Sequence, residues 1–176
     1  MTVRTRNLTY SVDAGYGSRL CLLHPTSITI PENSVTAIMG PSGAGKTTLM
    51  DLISGTKRSG YYSGDIYVGG QLIQTDLKSV VAHVECFDFH IEDFTVLENM
   101  YYTAMLRAGK WMSHKECLAL CMEIADIISL TSVLDVCVGS ELKKGISGGQ
   151  KKLLSIANEL VGFPTVLCLD EPTSGT

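Results

Sequence analysis

Long apolar runs are missing from this sequence of 176 residues. No stretch approaches the roughly 18 consecutive apolar residues that a membrane-spanning helix needs. No apolar stretch of the kind found in a secretory signal follows the first residues, so we expect no such signal. Internal repeats and low-complexity segments are absent as well. Hydrophobic residues nevertheless make up 45% of the chain and charged residues 18%. This balance is typical of one globular domain, or part of one, built around a buried core.

An excess of basic charge is also missing. The chain has 14 lysine and arginine residues against 18 aspartate and glutamate residues, and its net charge is −4. This composition argues against a nucleic acid held by a general basic field. Two local lysine pairs, Lys143-Lys144 and Lys151-Lys152, are interpreted as a solvated helix start at the rim of a site, not as a nucleic-acid interface.

The six cysteines include no Cys-x-x-Cys pair, and we expect them to be reduced thiols. His114, Cys117 and Cys121 fall on one face of a predicted helix and could imitate a metal site. Ser113 and Glu116, however, form a capping-box pattern at the start of this helix. Core packing is therefore the favoured interpretation. The predicted apolar stripe of the helix consists of Leu118, Cys121, Met122, Ala125 and Ile128.

A glycine-rich segment at 40–47 reads Gly-Pro-Ser-Gly-Ala-Gly-Lys-Thr and matches the pattern G-x-x-x-x-G-K-[ST] at every fixed position. It follows an apolar, β-branched run at 35–39, which predicts a strand. It precedes a helix-like segment at 47–54 that stops at Gly55. Strand, glycine loop and helix in this order are the context that a phosphate-binding loop requires. A plain glycine-rich turn is the weaker alternative, so the pattern predicts nucleotide binding.

The residue types of this loop explain the predicted chemistry. Glycines allow successive backbone N–H groups to turn toward a triphosphate, and the N-terminus of the following helix favours an anion. Lys46 is predicted to reach the β- and γ-phosphates, and the Thr47 hydroxyl to hold Mg²⁺. The predicted ATP-binding residues of the segment are Gly40, Pro41, Ser42, Gly43, Ala44, Gly45, Lys46, Thr47 and Thr48.

A second element is the apolar run at 166–169, which ends in Asp170 and Glu171. It predicts a buried parallel strand with two carboxylates at its C-terminal tip, the end that faces the ligand crevice in open α/β sheets. Asp170 is predicted to coordinate Mg²⁺, directly or through water. Glu171 is predicted to orient or deprotonate an attacking water, which makes it a predicted catalytic residue together with Lys46. Two acidic residues at the end of a strand are common, so this pattern alone is a weak signal of a nucleotide site. In the same sequence as the glycine loop, it becomes a strong one.

The third element, residues 142–157, resembles the signature segment of ABC-type ATPases. Ser147 can cap the helix that follows, while Gly148 and Gly149 leave backbone donors open to an anion. In the family, this loop contacts the γ-phosphate held by the glycine loop of a second nucleotide-binding domain. The resemblance assigns this contact to Ser147, Gly148, Gly149 and Gln150.

Within the ABC-type ATPases, the chain resembles the G subfamily, the half-transporters of the white and pleiotropic-drug-resistance type, over essentially its whole length. The resembling segments are 50–52, 62–70, 94–100, 106–107, 138–139, 144–149 and 172–175. The resemblance implies an α/β fold of the P-loop NTPase, ABC type, with an antiparallel β subdomain and a helical signature subdomain. We interpret residues 1–176 as one partial nucleotide-binding domain. Approximately 1–95 would form the β subdomain and P-loop core, 96–137 the helical subdomain, and 138–176 the signature loop and carboxylate strand.

The same resemblance implies an ATPase that uses ATP and Mg²⁺ to drive a substrate across a membrane. Its implied partners are a second nucleotide-binding domain, in a homo- or heterodimer, and a transmembrane domain in cis or in trans. Its implied location is the cytoplasmic face of a membrane. Residues 3–12 and 26–30 are predicted strands, and an aromatic residue near the first of them stacks on adenine in the family. Tyr10 is the predicted residue, and Tyr16 competes with it.

Cys86 departs from the family pattern. The family places a glutamine after a strand and uses it near Mg²⁺ and in coupling to the membrane helices, whereas this chain has Cys86 at the matching position. A neutral thiol is a poor ligand for a hard cation that prefers oxygen. We therefore expect weakened Mg²⁺ or coupling chemistry at the Cys86 position.

A further departure is that family members continue past the segment at 172–175 with an aspartate and, later, a histidine that contacts the γ-phosphate. We expect this chain to be incomplete at its C-terminus, to fold poorly alone and to turn over ATP slowly.

Two alternatives come from other classes. One is a nucleotide-binding or regulatory subunit that does not hydrolyse ATP, which Cys86 favours. The other is a soluble ABC ATPase without a membrane domain.

Overall fold

The computed structural model describes residues 1–57, 59–73, 77, 80–140 and 142–173. The chain divides into two compact units, Met1–His83 and Val84–Thr176. Strands dominate the first unit and helices the second, which gives an α/β fold as predicted. Within the described ranges, no helix has both the length and the apolar character needed to cross a membrane.

The first unit contains an antiparallel sheet with β1 (Val3–Gly15) at its centre. β1 pairs with β2 (Ser18–Thr26) and with β4 (Tyr61–Val68), and β3 (Thr29–Ile30) also pairs with β1. β5 (Gln71–Leu72) extends the sheet by pairing with β4. The structure confirms a strand in the predicted region 3–12. The region predicted at 26–30 contains only the last residue of β2 and the two residues of β3. The structure also shows β2, which the sequence did not predict because Leu23 alone is buried along it and no alternation is visible.

A bulge in β1 explains which side chains of this strand reach the core. Val3 and Thr5 are buried, and the next buried residues are Leu8 and Tyr10, so the alternation shifts by one residue between them. Asn7 occupies the shift with a φ of 47°, and the register with β4 breaks at the same place. Gly64 of β4 passes close by, and a Cβ there would lie 2.5 Å from the Asn7 carbonyl oxygen. The bulge therefore requires glycine at this position.

The strand predicted at 35–39 is not formed, and that prediction is wrong for this structure. Val35 and Met39 are 101% and 89% exposed. A strand is stabilised by its hydrogen-bonded neighbour, and none of the described strands pairs with this run. The helix predicted after the glycine loop is present as α1 (Lys46–Ser54), and it ends at Gly55 with a left-handed φ of 69°.

The second unit contains α2 (Val96–Ala108), α3 (His114–Ile127), α4 (Gly148–Leu160) and β7 (Val166–Leu169). A short 3-10 helix, Thr131–Val133, lies between α3 and α4. β6 (Val81–Val84) ends in this unit, where the Val84 carbonyl accepts a 3.0 Å hydrogen bond from the Asp170 N–H. The helices share one apolar core, whose fully buried members include Val96, Met100, Ala104, Cys117, Cys121, Leu130, Leu154, Ala157 and Val161.

Each of the three helices begins with a reciprocal capping box, in which the cap side chain accepts from the third helical N–H and the third side chain accepts from the cap N–H. Such a cap stabilises a helix by about 1 kcal/mol. The Arg107 guanidinium also forms two hydrogen bonds with the Glu159 carboxylate and so joins α2 to α4. The capping pairs are Thr95 with Glu98, Ser113 with Glu116, and Ser147 with Gln150.

α3 confirms the interpretation of its cysteines as core residues but presents a different face from the predicted one. Cys117 and Cys121 have no exposed surface, and burial raises the pKa of the Cys121 thiol to about 11, with the nearby Cys117 adding to the shift. Leu118 and Met122 are 43% and 45% exposed, so their placement in the apolar stripe was wrong. The face that α3 turns to the core shared with α2 and α4 carries three small side chains and one large one. Its buried residues are Cys117, Cys121, Ile124 and Ala125.

Candidate functional site

The glycine loop at 40–45 has the open backbone that its sequence predicts. Gly43 and Gly45 have φ values of 81° and 85°, in the left-handed region that glycine adopts without strain. Residues 40–44 are exposed, so their backbone groups are accessible to a ligand. Gly45 is the N-cap of α1, and the loop therefore leads directly to the unpaired N–H groups at the start of a helix. This arrangement suits an anion.

Lys46 and Thr47 begin α1 and supply the polar side chains of the loop. The Lys46 ammonium donates 2.9 Å hydrogen bonds to the carbonyls of Gly40 and Pro41, so its charge is held over the loop. Thr47 is exposed and Thr48 is half-buried. An ammonium, a hydroxyl and open backbone N–H groups are the donors that a nucleotide phosphate requires, and the hydroxyl oxygen suits Mg²⁺. The residues present therefore fit ATP and Mg²⁺.

Tyr10 does not offer a surface for adenine, and the prediction that it stacks on the base is wrong for this structure. Its side chain is 1% exposed, and its hydroxyl donates a 2.6 Å hydrogen bond to the Ser59 carbonyl. Gly60 covers the ring so closely that a Cβ there would lie 2.5 Å from the Tyr10 hydroxyl. Tyr16, the competing residue, is fully exposed in the turn between β1 and β2, with a φ of 51°.

The carboxylate pair of the second unit follows β7 as predicted. Asp170 is 7% exposed, whereas Glu171 is exposed to solvent. Glu171 has a φ of 46°, a left-handed conformation that a residue with a Cβ adopts only when its surroundings enforce it. The chain therefore turns sharply here, so that one carboxylate stays in the interior and the next lies at the surface.

Cys86 lies beside this pair. Its thiol is 3.9 Å from Oε2 of Glu171 and donates to it. The segment after β6 therefore brings the residue at the family's glutamine position into contact with the predicted catalytic carboxylate. A thiol is a weaker hydrogen-bond donor than a carboxamide and offers no oxygen to a hard cation. Compared with a glutamine at this position, Cys86 therefore makes a weaker hydrogen bond to Glu171 and offers no oxygen to a metal ion.

The signature loop is folded into the start of α4. The Ser147 hydroxyl accepts from the Gln150 N–H at 3.2 Å, and the Gln150 carboxamide accepts from the Ser147 N–H at 2.9 Å. Gly148 and Gly149 are the first two residues of the helix, whose N–H groups have no partner within it. Both polar side chains are thus engaged in the cap, and the backbone of the glycines is the part of the loop that can meet an anion.

Two glycines allow the chain to reach this loop. A Cβ on Gly145 would lie 2.1 Å from the Val138 carbonyl oxygen, and one on Gly139 would lie 2.6 Å from the Lys143 carbonyl oxygen. The Ile146 N–H donates to the Val138 carbonyl at 3.2 Å, which closes the segment on itself. Only residues without a Cβ permit this crossing, so the signature loop depends on glycine at both positions.

A buried polar network around Lys152 was not predicted, and one prediction about its members was wrong. Lys152 was interpreted as part of a solvated lysine pair, but it is 4% exposed and its ammonium lies 2.9 Å from Oδ1 of Asp88. Ser155 and His90 also contact this network. The pKa of His90 is lowered, chiefly by burial. The sequence carried no local signal for the burial of Lys152, because the oxygen atoms that compensate its charge lie more than 60 residues away along the chain.

Comparison with known proteins identifies the class to which these features belong. The family model described as ABC transporter matches residues 23–174, and the chain therefore belongs to the ABC transporter family. A protein described as a probable ATP-dependent permease of Saccharomyces cerevisiae is 38% identical over 99% of this chain. ABC transporter G family member 43 of Arabidopsis thaliana is 36% identical over 99% of the chain, and member 38 of Oryza sativa subsp. japonica is 39% identical over 89%. These relatives agree with the G subfamily resemblance.

The chain is short beside these relatives, since it spans 17%, 13% and 10% of their respective lengths. A solved structure supports the fold. The dimeric, post-hydrolysis state of an ATP-binding cassette protein bound to ADP and phosphate matches 98% of this chain and 75% of its own, with a TM-score of 0.79 at 24% identity. The α/β fold is thus that of an ABC nucleotide-binding domain.

Proposed function

We propose that this chain binds ATP with Mg²⁺ and, as the nucleotide-binding domain of an ABC transporter, hydrolyses it to power transport of a substrate across a membrane. The observation that carries the proposal is the glycine loop, where the Lys46 ammonium is held over open backbone at the start of α1. The signature segment at the start of α4, with Ser147 as its cap, supports it further.

Each polar residue of the site has a role in this proposal. The loop N–H groups and Lys46 bind the phosphates, and Thr47 and Asp170 hold the metal ion. Mg²⁺ neutralises negative charge on the phosphate oxygens when it is bound. Glu171 is exposed at the end of β7 and accepts a proton from the attacking water, for which a carboxylate is suited.

The proposed partners follow from the signature loop. Ser147, Gly148, Gly149 and Gln150 contribute to the nucleotide site of a second nucleotide-binding domain, and the two domains work with a transmembrane domain in the same or another polypeptide. The relatives named ABC transporter support the membrane partner. The proposed location is the cytoplasmic face of a membrane. Nucleic acid has no role in the proposal.

Replacing Lys46 with alanine tests nucleotide binding. A hydrogen bond to a charged group contributes about 1.5–3 kcal/mol, so we expect the dissociation constant for Mg·ATP to rise about tenfold to a hundredfold. Isothermal titration calorimetry measures this change. Lys110→Ala is the matched control, because Lys110 is an exposed lysine after α2. Equal affinities of the Lys46→Ala variant and the unaltered protein would overturn the proposal.

Cys86 favours a second candidate function, a subunit that binds nucleotide without hydrolysing it efficiently. The observation is the 3.9 Å contact between its thiol and Glu171. If the thiol limits turnover, Cys86→Gln restores an oxygen ligand and should raise the rate of ATP hydrolysis by up to about tenfold, the lower end of the effect of altered outer-shell groups at metal sites. Steady-state phosphate release measures the rate. Cys21→Gln is the control, because Cys21 is exposed on β2. An unchanged rate in Cys86→Gln would show that the thiol is not limiting.

A further inference from the structure

Lys152 of α4 is a buried lysine whose ammonium group has an oxygen partner for each of its three protons. Its ammonium donates to the carbonyls of Glu85 and Cys86 at 3.1 and 2.7 Å. It also lies 2.9 Å from Oδ1 of Asp88. A lysine ammonium has three donors and no acceptor, so these three oxygens satisfy it completely. The segment after β6 therefore wraps its backbone around one charged group of the signature helix.

Further hydrogen bonds, made by Ser155 and His90, also connect α4 with the segment at 85–90. Ser155 lies one helical turn after Lys152, and its hydroxyl donates a 2.6 Å hydrogen bond to Oδ1 of Asp88. Nε2 of His90 lies 3.1 Å from the Ser155 hydroxyl and 3.0 Å from the Lys151 carbonyl. Burial lowers the pKa of His90, which disfavours the protonated ring beside the Lys152 charge. The segment at 85–90 is thus bonded to α4 at several points.

Burial of the Lys152 charge costs free energy that an apolar side chain in the same place would not cost. Burying an ammonium is unfavourable unless it is paired, and a well-packed apolar side chain of similar volume often gives equal or greater stability. An apolar residue could not, however, fix the carbonyls of Glu85 and Cys86 in one orientation. The buried ion pair therefore specifies the conformation of this segment, and that conformation sets where Cys86 lies relative to Glu171.

We propose that Lys152 is a positioning residue that fastens the segment at 85–90 to the signature helix and thereby holds Cys86 against Glu171. Lys152 lies on the helix that Ser147 caps, so a movement of the signature loop moves this segment with it. A contact made to a partner domain through Gly148 and Gly149 is in this way linked to the carboxylate of the same chain. The inference rests on the proposed function, because it assigns a route by which partner binding reaches the hydrolytic carboxylate.

The test replaces Lys152 with methionine, which has similar length and no charge, in the complete polypeptide. We expect faster hydrogen exchange of the backbone amides at 86–91, unchanged exchange in the middle of α2, and a turnover number lowered about tenfold or more by misplacement of the reacting groups. The dissociation constant for Mg·ATP should stay unchanged, because Lys46 and the glycine loop are intact. Lys115→Met is the matched control, since Lys115 is an exposed lysine near the start of another helix, α3.

Ser155→Ala is the milder second variant, because it removes one tie to Asp88 and leaves Lys152 in place. It should produce the same changes to a smaller extent, which keeps the proposal testable if Lys152→Met fails to fold. Unchanged exchange at 86–91 in the folded variants would overturn the proposal, as would faster exchange with an unchanged turnover number. Absence of hydrolysis in the unaltered protein would instead overturn the proposed function, and the exchange comparison would still decide whether Lys152 holds the segment.

Discussion

Replacing Glu171 with glutamine is expected to lower the rate of ATP hydrolysis by about 10²- to 10⁴-fold, the range that a general base contributes. A carboxamide has nearly the same shape as the carboxylate but cannot accept the proton of the attacking water. Glu171 is exposed, is held in a left-handed conformation and lies 3.9 Å from the Cys86 thiol, so the substitution changes one accessible group. ATP affinity should remain close to that of the unaltered protein, because the phosphate-binding donors are elsewhere.

Phosphate release and nucleotide titration on the same preparation separate these two quantities. Glu123→Gln is the matched control, since Glu123 is an exposed glutamate on α3. A Glu171→Gln variant that hydrolyses ATP at nearly the normal rate would contradict the role given to this carboxylate. A variant that loses both binding and turnover would point to damage of the fold.

Replacing Leu154 with alanine should have the largest effect on stability. Leu154 is a fully buried residue of α4 and belongs to the core shared by α2, α3 and α4. Truncation removes buried methyl groups and leaves a cavity, which costs about 2–5 kcal/mol of unfolding free energy. A shift of the urea midpoint at constant slope measures this loss.

Leu106→Ala is the control for the stability experiment, because the same substitution is made on α2 at a side chain that is 88% exposed. We expect its free energy of unfolding to change by no more than about 0.5 kcal/mol. Equal effects of the two substitutions would show that the core around α4 is not packed as described.

Cys86, the natural departure from the family pattern, could be identified from the sequence, but its contacts are visible only in the structure. The resemblance predicted that the family's glutamine is replaced at this position. The structure adds that the thiol contacts Glu171, which joins two residues that are 85 positions apart. A local pattern predicts which residue is unusual, whereas its contacts depend on how distant segments meet.

The starts and ends of helices were predictable for a local reason. The capping box of Ser113 with Glu116 and the cap at Ser147 were predicted, and the structure confirms both. Thr95 and Glu98 form a capping box with the same three-residue spacing. The left-handed end of α1 at Gly55 is likewise determined by the residue type. Such features form within one helical turn, so a sequence contains all the groups that they require.

The glycine loop, the carboxylate pair, the signature loop and the family could all be predicted from the sequence alone, because each prediction rests on a short pattern of residues with a direct chemical meaning. The burial of Tyr10, the absence of a strand at 35–39 and the enclosure of Lys152 by oxygen atoms became visible in the folded chain. Burial, strand pairing and the compensation of a charge all depend on atoms from distant parts of the chain. The free energies of these three effects therefore depend on how distant parts of the chain pack together, and a local sequence pattern does not predict them.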